Sequence, residues 1–298
     1  MSGGERVRVL GAMAEPTAGP KAEPKAEPKA GPKAGPKAEP RPEPIPKPQR
    51  PLGVMAALPE ELGDLVAAMR AESGVQTVTH GQRDYHVGSV HGTHCVVTLA
   101  RVGKVAAAAT VSALIHAFNV EAVVFTGVAG GVGATLRIGD IVVADALLQH
   151  DLDASPLFPR YEVPLLGVTR FPADVALATR LAEAAEQFVA EEGAVLAQRF
   201  DTGSPRVHRG LVISGDQFVA SAAAVTALRE ALPDALAVEM EGAAIAQVCH
   251  EYGVPCAIVR TISDTADAHA PASFATFLVE IAGTYSSGIL RRFLAARG

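Results

Sequence analysis

Short apolar runs alternate with longer segments of helical period along the chain from Leu52 onwards. Apolar runs of four to eight residues are typical of buried strands, whereas an apolar residue at every third or fourth position indicates a helix. This alternation predicts an α/β domain with a largely parallel sheet. Strands are predicted at residues 53–58, 84–90, 93–100, 122–125, 139–148, 207–214, 235–239 and 256–262.

Helices are predicted between these runs. The first begins at Pro59, because proline lacks the N–H that a first helical turn leaves unpaired. Its apolar stripe then continues at Leu62 and Met69. Residues 152–172 contain four prolines and no clear period, which predicts a long loop. Further helices are predicted up to residue 118, over about twenty residues from 172, at 222–231, from 241 to 252, and from 273 onwards.

Residues 1–50 have a different character from the rest of the chain. Twelve of the 21 prolines lie in residues 1–51, largely within a degenerate Lys-Ala-Glu-Pro repeat. Frequent proline removes backbone donors and prevents helix formation, and the segment offers little to bury. The sequence therefore predicts a disordered tail, partly polyproline II, over residues 1–50 and one folded domain over residues 51–298.

Charge and cysteine content exclude several classes of protein. The net charge is −6, and the 247 residues after Pro51 carry 16 basic and 26 acidic side chains, a balance of −10. A nucleic-acid surface would instead be basic, so no nucleic-acid partner is expected. Three cysteines without CxxC spacing favour a reducing compartment and no metal site. No apolar run reaches about 18 residues, so we expect a cytoplasmic protein without a membrane partner.

Ionisable residues follow two of the predicted strands. Glu239, Met240 and Glu241 lie at a strand-to-helix junction, and Arg260 and Asp264 lie at the end of the next strand along the chain. If these two strands are neighbours, their ends meet at one rim of the sheet. Open α/β sheets bind their ligands at that rim. The sequence therefore predicts a ligand site there.

Three further groups of residues each fit two interpretations. The glycine-rich residues 127–131 follow a strand and fit either a ligand cradle or a tight turn. His150 and Asp151 fit either a catalytic pair or a hydrogen-bonded loop corner. Arg101 and Lys104 fit either an anion site or a helix cap.

Six segments together resemble one family more specifically than any of them does alone. In order and spacing they are similar to the 5′-methylthioadenosine/S-adenosylhomocysteine nucleosidases of the purine nucleoside phosphorylase-like superfamily, and the resemblance extends from Leu52 to the end of the chain. It implies a single three-layer domain with a central mixed, largely parallel sheet flanked by helices. It also implies a homodimer that acts on a small-molecule nucleoside without metal or organic cofactor. The segments are residues 57–61, 126–131, 137–143, 214–219, 238–241 and 259–264.

The resemblance implies hydrolysis of the N-glycosidic bond of 5′-methylthioadenosine or S-adenosylhomocysteine, with release of adenine. Asp264 would protonate N7 of adenine, and Glu61 would activate a water that Arg260 helps to place. Glu241 would accept hydrogen bonds from the ribose hydroxyls. Two carboxylates on opposite sides of the scissile bond, with room for a water, are also the arrangement of inverting glycosidases.

The same resemblance implies the residues that contact the substrate. Aromatic, apolar and backbone groups would hold the purine, the sugar and the 5′-thioalkyl group, and a neighbouring subunit would complete the 5′ slot. Two polar residues close in sequence to the catalytic ones, Glu239 and Ser263, belong to the same set. These residues are Leu58, Gly130, Phe218, Val219, Glu239, Met240, Ser263 and Phe274.

Departures from the family pattern leave room for rival assignments. The base is placed at Glu61 rather than Glu60 by counting to Leu62, so an offset of one residue is possible. Arg101 replaces a small residue and would add charge close to the water site, which keeps a phosphorylase under consideration. A hydrolase of another purine nucleoside such as futalosine, and a catalytically silent nucleoside-binding module, also fit the sequence.

Overall fold

The computed structural model describes residues 50–199, 203–266 and 270–297, and within them eleven strands join in one sheet. The predicted tail lies outside the described residues except for Arg50. The strand order is β2-β3-β4-β1-β5-β11-β6-β10-β9-β7-β8. The strands are β1 (Leu52–Ala56), β2 (Gln76–His80), β3 (Arg83–Val90), β4 (Thr93–Leu99), β5 (Ala122–Phe125), β6 (Val128–Gly131), β7 (Ile141–Gln149), β8 (Phe171–Pro172), β9 (Val207–Ser214), β10 (Ala235–Glu239) and β11 (Cys256–Asp264).

The sheet is mixed. The strands β4, β1, β5 and β11 are mutually parallel, whereas β2, β3 and β4 form an antiparallel meander. An additional antiparallel pairing of β7 with β11 closes β11, β6, β10, β9 and β7 into a ring. The helices are α1 (Pro59–Leu62), α2 (Leu65–Ser73), α3 (Lys104–His116), α4 (Val175–Arg199), α5 (Ala222–Ala231), α6 (Gly242–Tyr252), α7 (Ala270–Phe277) and α8 (Gly283–Ala295).

Apolar residues cover both faces of the sheet. In β1, Leu52 and Val54 pack into one buried cluster with residues of α2, α4 and α8. Met55, whose side chain points to the opposite face, packs with residues of α3 and α6. Alternate side chains of a strand point to opposite faces, so helices must cover both sides. The predicted mixed α/β domain with flanking helices is therefore confirmed.

Several predicted boundaries were wrong for local reasons. The helix from Pro59 does not continue through Gly63, whose φ of 55° ends α1 after one turn. Pro172 does not open a helix but pairs with Ala146 in β8, and α4 begins at Val175. The strand β2 was not predicted. The terminal helical segment begins at residue 270 rather than 273 and passes through a π-helical turn, Leu278–Ala282, before α8.

The two strands that end in ionisable residues are not neighbours in the sheet. The glycine-rich strand β6 lies between β10 and β11, so residues 128–131 form neither a turn nor a loop. Gly130 is opposite Val238 in β10 on one side and opposite Asp264 in β11 on the other. Because Gly130 has no side chain, the groups carried by its two neighbours share the space above it.

No helix among the described residues is long and apolar enough to span a bilayer.

Candidate active site

A cavity of about 390 Å³ opens where the strands β1, β10 and β11 end. Eleven of the twelve predicted site residues line it, and the twelfth, Arg260, is buried behind Glu239. The lining residues are Ala57, Leu58, Glu61, Val102, Val128, Ala129, Gly130, Gln217, Phe218, Val219, Val238, Glu239, Met240, Glu241, Ser263, Asp264 and Phe274. The structure therefore brings most of the predicted site residues together around one cavity.

Glu61 is held by backbone donors from two strand ends. Its Oε2 accepts hydrogen bonds from the N–H groups of Ala57 and Leu58, both at 2.8 Å, and its Oε1 accepts one from Val128 at 3.0 Å. Burial raises the pKa of Glu61, although the nearby Arg260 and these donors oppose that shift. Glu60 is exposed and lies outside the cavity. Of the two glutamates, Glu61 therefore faces the site.

Arg260 is the cation among three buried carboxylates. Its Nη2 lies 2.6 Å from Oε2 of Glu239 and 3.8 Å from Oε2 of Glu241, and its guanidinium stacks 3.8 Å from the ring centroid of Phe125. Its Nε and Nη1 have no hydrogen-bond partner among the described residues. A Cβ on Gly127 would collide with both Arg260 Nη1 and Glu61 Oε1. These two polar atoms therefore flank the same small space.

Glu239 and Glu241 differ in what holds them. Glu239 accepts hydrogen bonds from the backbone N–H of Gly242 at 2.9 Å and from the hydroxyl of Ser214, in addition to its ion pair. Glu241 accepts a hydrogen bond at Oε1 from the N–H of Gly103, at 2.8 Å. Because β10 ends at Glu239, Met240 also lines the cavity instead of pointing to the opposite face. Glu239 is thus a structural anchor and Glu241 is the more available acceptor.

Burial, followed by the negative charge of Glu239, raises the pKa of Glu241 to about 8, and Arg260 opposes the shift. A carboxyl group with a raised pKa binds its proton more tightly in the folded protein than in the unfolded chain. Its contribution to stability is therefore fully present below the unfolded pKa, near 4.5, and is lost as the pH rises towards 8.

We expect Glu241→Gln to flatten the pH dependence of stability. Titration of Glu241 will lower the wild-type free energy of unfolding between pH 5 and 8. The slope is at most about 1.4 kcal/mol per pH unit, because the group loses one proton. Gln carries no such proton, so the variant will lack that component. Chemical denaturation at several pH values measures the difference, and identical slopes for both proteins would contradict the raised pKa.

Asp264 lies at the end of β11, facing Gly130. Its Oδ2 accepts a hydrogen bond from the hydroxyl of Ser263 at 2.8 Å, and its Oδ1 accepts one from the N–H of Ala266 at 2.8 Å. The carboxyl group is buried. A Cβ on Gly130 would lie 3.0 Å from Asp264 Oδ1, so a side chain at position 130 would crowd the carboxyl group.

Aromatic side chains form the outer wall of the cavity. The rings of Phe218 and Phe274 meet edge to face, with centroids 5.4 Å apart. Phe218 is 46% exposed, which leaves a ring face free for a planar ligand.

His150 and Asp151 form a loop corner, as one of their two interpretations predicted. Lys104 Nζ donates to Asp151 Oδ1 at 2.6 Å, and the backbone N–H of Asp216 donates to Asp151 Oδ2 at 2.9 Å. The backbone N–H of Lys104 in turn donates to Asp216 Oδ1 at 2.8 Å. This ring of contacts holds Gly103, whose N–H binds the catalytic candidate Glu241. Lys104 is therefore engaged outside the cavity.

Arg101 does not add charge next to the water site, contrary to expectation. It has a φ of 67°, and its Nη2 donates to the backbone carbonyl of Gln82 at 2.5 Å. That bond draws the side chain into a separate groove. Val102, the next residue, lines the cavity instead.

Several cavity residues were not predicted. They are mostly small or apolar residues adjacent to predicted ones, and Gly103 acts through its backbone alone. Such residues carry no chemical signal of their own in the sequence. No group of three or more His, Cys, Asp or Glu residues among the described ones is arranged to hold a metal ion.

Comparisons with known proteins agree with this geometry. Residues 51–295 match the family model described as the phosphorylase superfamily. A 5′-methylthioadenosine/S-adenosylhomocysteine nucleosidase from Chromohalobacter salexigens is 35% identical over 250 residues, covering 84% of this chain and 98% of that protein.

Solved structures of similar proteins include a nucleosidase of the same name from S. pneumoniae with a transition-state inhibitor, at a TM-score of 0.71 and 32% identity, covering 83% of this chain and 99% of that one. Futalosine hydrolase from Helicobacter pylori is similar at a TM-score of 0.69 and 31% identity, covering 82% of this chain and 97% of that one. The chain belongs to the phosphorylase superfamily and, within it, to the family of the 5′-methylthioadenosine/S-adenosylhomocysteine nucleosidases.

Proposed function

We propose that this protein hydrolyses the N-glycosidic bond of 5′-methylthioadenosine, S-adenosylhomocysteine or both, releasing adenine and the 5-thioribose product. The observation that carries the proposal is the convergence of Glu61, Glu241 and Asp264 on one cavity. These carboxyl groups come from distant parts of the chain. A carboxylate next to a riboside stabilises the positive charge that the sugar develops as the glycosidic bond breaks, and the deprotonated Glu61 supplies that charge in this proposal.

Asp264 is the proposed general acid. Its protonated carboxyl group gives a proton to N7 of adenine while the electrons of the C1′–N9 bond move to the purine, so adenine leaves as a neutral base. The hydrogen bonds from Ser263 and Ala266 fix the orientation of the carboxyl group.

Glu61 is the proposed general base. It takes one proton from a water molecule, whose oxygen bonds to C1′ and becomes the new sugar hydroxyl group. Three backbone donors fix this carboxylate in place, and Arg260 Nη1 borders the same space across Gly127. The guanidinium therefore can orient the water without leaving its ion pair with Glu239.

The remaining residues would bind the substrate. Glu241 accepts the ribose hydroxyls through the oxygen that Gly103 does not occupy. Met240 packs under the sugar, and Phe218 stacks on the purine while the backbone of Val219 contacts its edge. Leu58 and Phe274 face the 5′ substituent. We further propose that the protein is cytoplasmic and that a second subunit completes the 5′ slot.

The charges in the cavity favour water over phosphate as the nucleophile. Among the residues that the structure describes, carboxyl groups line the cavity without any lysine or arginine, and Arg260 behind it is already paired. Phosphate would need basic groups or free backbone donors beneath the sugar. The donors near Glu61 are instead used by its own carboxylate.

We expect the purified full-length protein to release adenine from 5′-methylthioadenosine in phosphate-free buffer. Glu61→Gln will lower kcat by about 10²–10⁴-fold, because the amide cannot accept a proton from water. Glu60→Gln is the matched control, since it makes the same change on the exposed neighbouring residue and will leave kcat within about twofold. Chromatographic measurement of adenine gives both rates.

Three results would decide against the proposal. Adenine release only in the presence of phosphate would indicate a phosphorylase. Turnover of futalosine but of neither thionucleoside would indicate a futalosine hydrolase. Equal activity of Glu61→Gln and Glu60→Gln would show that Glu61 is not the base.

A further inference from the structure

Three charged side chains outside the cavity join two of the segments that line it. Lys104 Nζ lies 2.6 Å from Asp151 Oδ1, and the backbone N–H of Asp216 donates to Asp151 Oδ2 at 2.9 Å. Val102 lies two residues before Lys104 and lines the cavity, as do residues 217–219, which follow Asp216. Asp151 therefore bridges both segments from a point outside the cavity.

Asp216 caps the helix α3 from a distant part of the chain. Gly103, the residue before the helix, has no side chain with which to satisfy the first helical N–H groups. Asp216 Oδ1 instead accepts the N–H of Lys104 at 2.8 Å, and the positive end of the helix dipole favours a carboxylate there. A Cβ on Gly103, whose φ is 98°, would lie 3.2 Å from the same oxygen. The direction of the Gly103 N–H therefore depends on where Asp216 is held.

Lys104 also connects this network to the helix that follows Glu241. Its Nζ donates to Gln149 Oε1 at 3.0 Å, and Gln149 Nε2 donates to Gln247 Oε1 at 2.6 Å. Gln247 lies in α6, the helix whose N-cap is Glu241. The N–H of Gly103 donates to Glu241 Oε1 at 2.8 Å. The network therefore reaches Glu241 twice, through the backbone of α6 and through this N–H.

The ion pair at the centre of the network is largely shielded from water. The side chains of Lys104 and Asp151 are 16% and 25% exposed. Burial opposes ionisation of Asp151, but the hydrogen bonds from Lys104 and from the Asp216 N–H lower its pKa, so Asp151 is a carboxylate at neutral pH. A carboxylate accepts from both donors at once, whereas an amide of the same size has only one oxygen. The network therefore requires the carboxylate of Asp151.

We propose that Asp151 is a positioning residue that fixes Glu241 for contact with the ribose hydroxyls. Through Lys104 and Asp216 it sets the N–H of Gly103. That N–H occupies one oxygen of Glu241 and leaves the other for the sugar. Glu241 accepts the hydroxyls in the proposed function, on which this role rests. The preference of the protein for a hydroxylated sugar therefore depends on a residue outside the cavity.

The test measures how strongly the full-length protein prefers a sugar with both hydroxyls. The preference is kcat/KM for 5′-methylthioadenosine divided by kcat/KM for its 3′-deoxy analogue, which keeps the 2′-hydroxyl next to the reacting carbon. We expect a wild-type preference of about tenfold or more, the effect of one hydrogen bond. Asp151→Asn will lower kcat/KM for 5′-methylthioadenosine about fivefold and for the analogue by less than about twofold, so the preference will fall.

Further variants identify the link that is broken. Glu241→Gln is the reference and will also lower the preference. Lys104→Met will act like Asp151→Asn, and Lys104→Arg will recover part of the loss because it keeps the cation. The double variant Asp151→Asn/Lys104→Met will be no worse than either single variant, since both break one link. Asp145→Asn is the matched control and will leave the preference unchanged, because Asp145 lies on the same strand but pairs at the surface, with Arg209 at 2.6 Å.

An equal fall in kcat/KM for both substrates would overturn the positioning role, because it would mean a general effect on the fold. An unchanged preference in Asp151→Asn and Lys104→Met would overturn it as well, and if circular dichroism shows one of them unfolded, the other decides. A preference that Glu241→Gln leaves unchanged would remove the contact on which the role rests. A wild-type protein that does not cleave 5′-methylthioadenosine would instead remove the proposed function itself.

Discussion

Replacing Asp264 by Asn will lower kcat for adenine release by about 10²–10⁴-fold, while KM changes by less than about threefold. The amide keeps the size of the carboxyl group and can still form a hydrogen bond to N7, so binding is largely retained. It has no acidic proton to transfer, and N7 must then take its proton from solvent. A loss in kcat at nearly constant KM is the signature of an interaction made only in the transition state.

Steady-state kinetics with 5′-methylthioadenosine, and circular dichroism to confirm folding, measure this effect. Ser263→Ala provides the graded comparison, because it removes only the hydroxyl that donates to Asp264 Oδ2 and leaves the proton. We expect it to cost about tenfold, the effect of one hydrogen bond. Asp264→Asn with wild-type turnover would rule out Asp264 as the acid, whatever the effect of Ser263→Ala.

The sequence predicted the members of this site better than their arrangement. Carboxylates at strand ends gave Glu239, Glu241 and Asp264, because a strand followed by an acid is a local pattern. That β6 separates β10 from β11 could not be predicted in the same way. Strand order depends on which apolar runs pair across long stretches of chain, and the short run 128–131 has too few apolar side chains to indicate a strand.

Residues that act through their backbone also could not be predicted from the sequence. Gly103 donates its N–H to Glu241 because Lys104, Asp151 and Asp216 hold that turn together. Each of these contacts joins residues tens of positions apart. The direction of the Arg101 side chain likewise depends on its positive φ. A charged residue near a motif therefore does not reveal which of two adjoining spaces it enters.

Removal of the buried guanidinium will have the largest effect on stability. We expect Arg260→Met to lower the free energy of unfolding by about 3–5 kcal/mol at pH 7.5, because breaking a buried pair leaves uncompensated charge in the core. Glu239 loses its partner at 2.6 Å and Glu241 the cation at 3.8 Å. Methionine can still pack on Phe125, so the loss in free energy of unfolding will reflect the missing charge and not a cavity. Chemical denaturation measures it.

The pH dependence of this deficit distinguishes charge from packing. Arg260 lowers the pKa values of Glu61 and Glu241, so both rise further without it. Protonation at low pH then removes uncompensated charge, and the difference between variant and wild type will shrink at pH 5. Arg170→Met is the control, because Arg170 pairs with Asp234 on the surface, where an ion pair contributes about 0–1 kcal/mol. A deficit of equal size at pH 5 and 7.5 would show that Arg260 stabilises the fold by packing alone, and the electrostatic account of the three carboxyl groups would then fail.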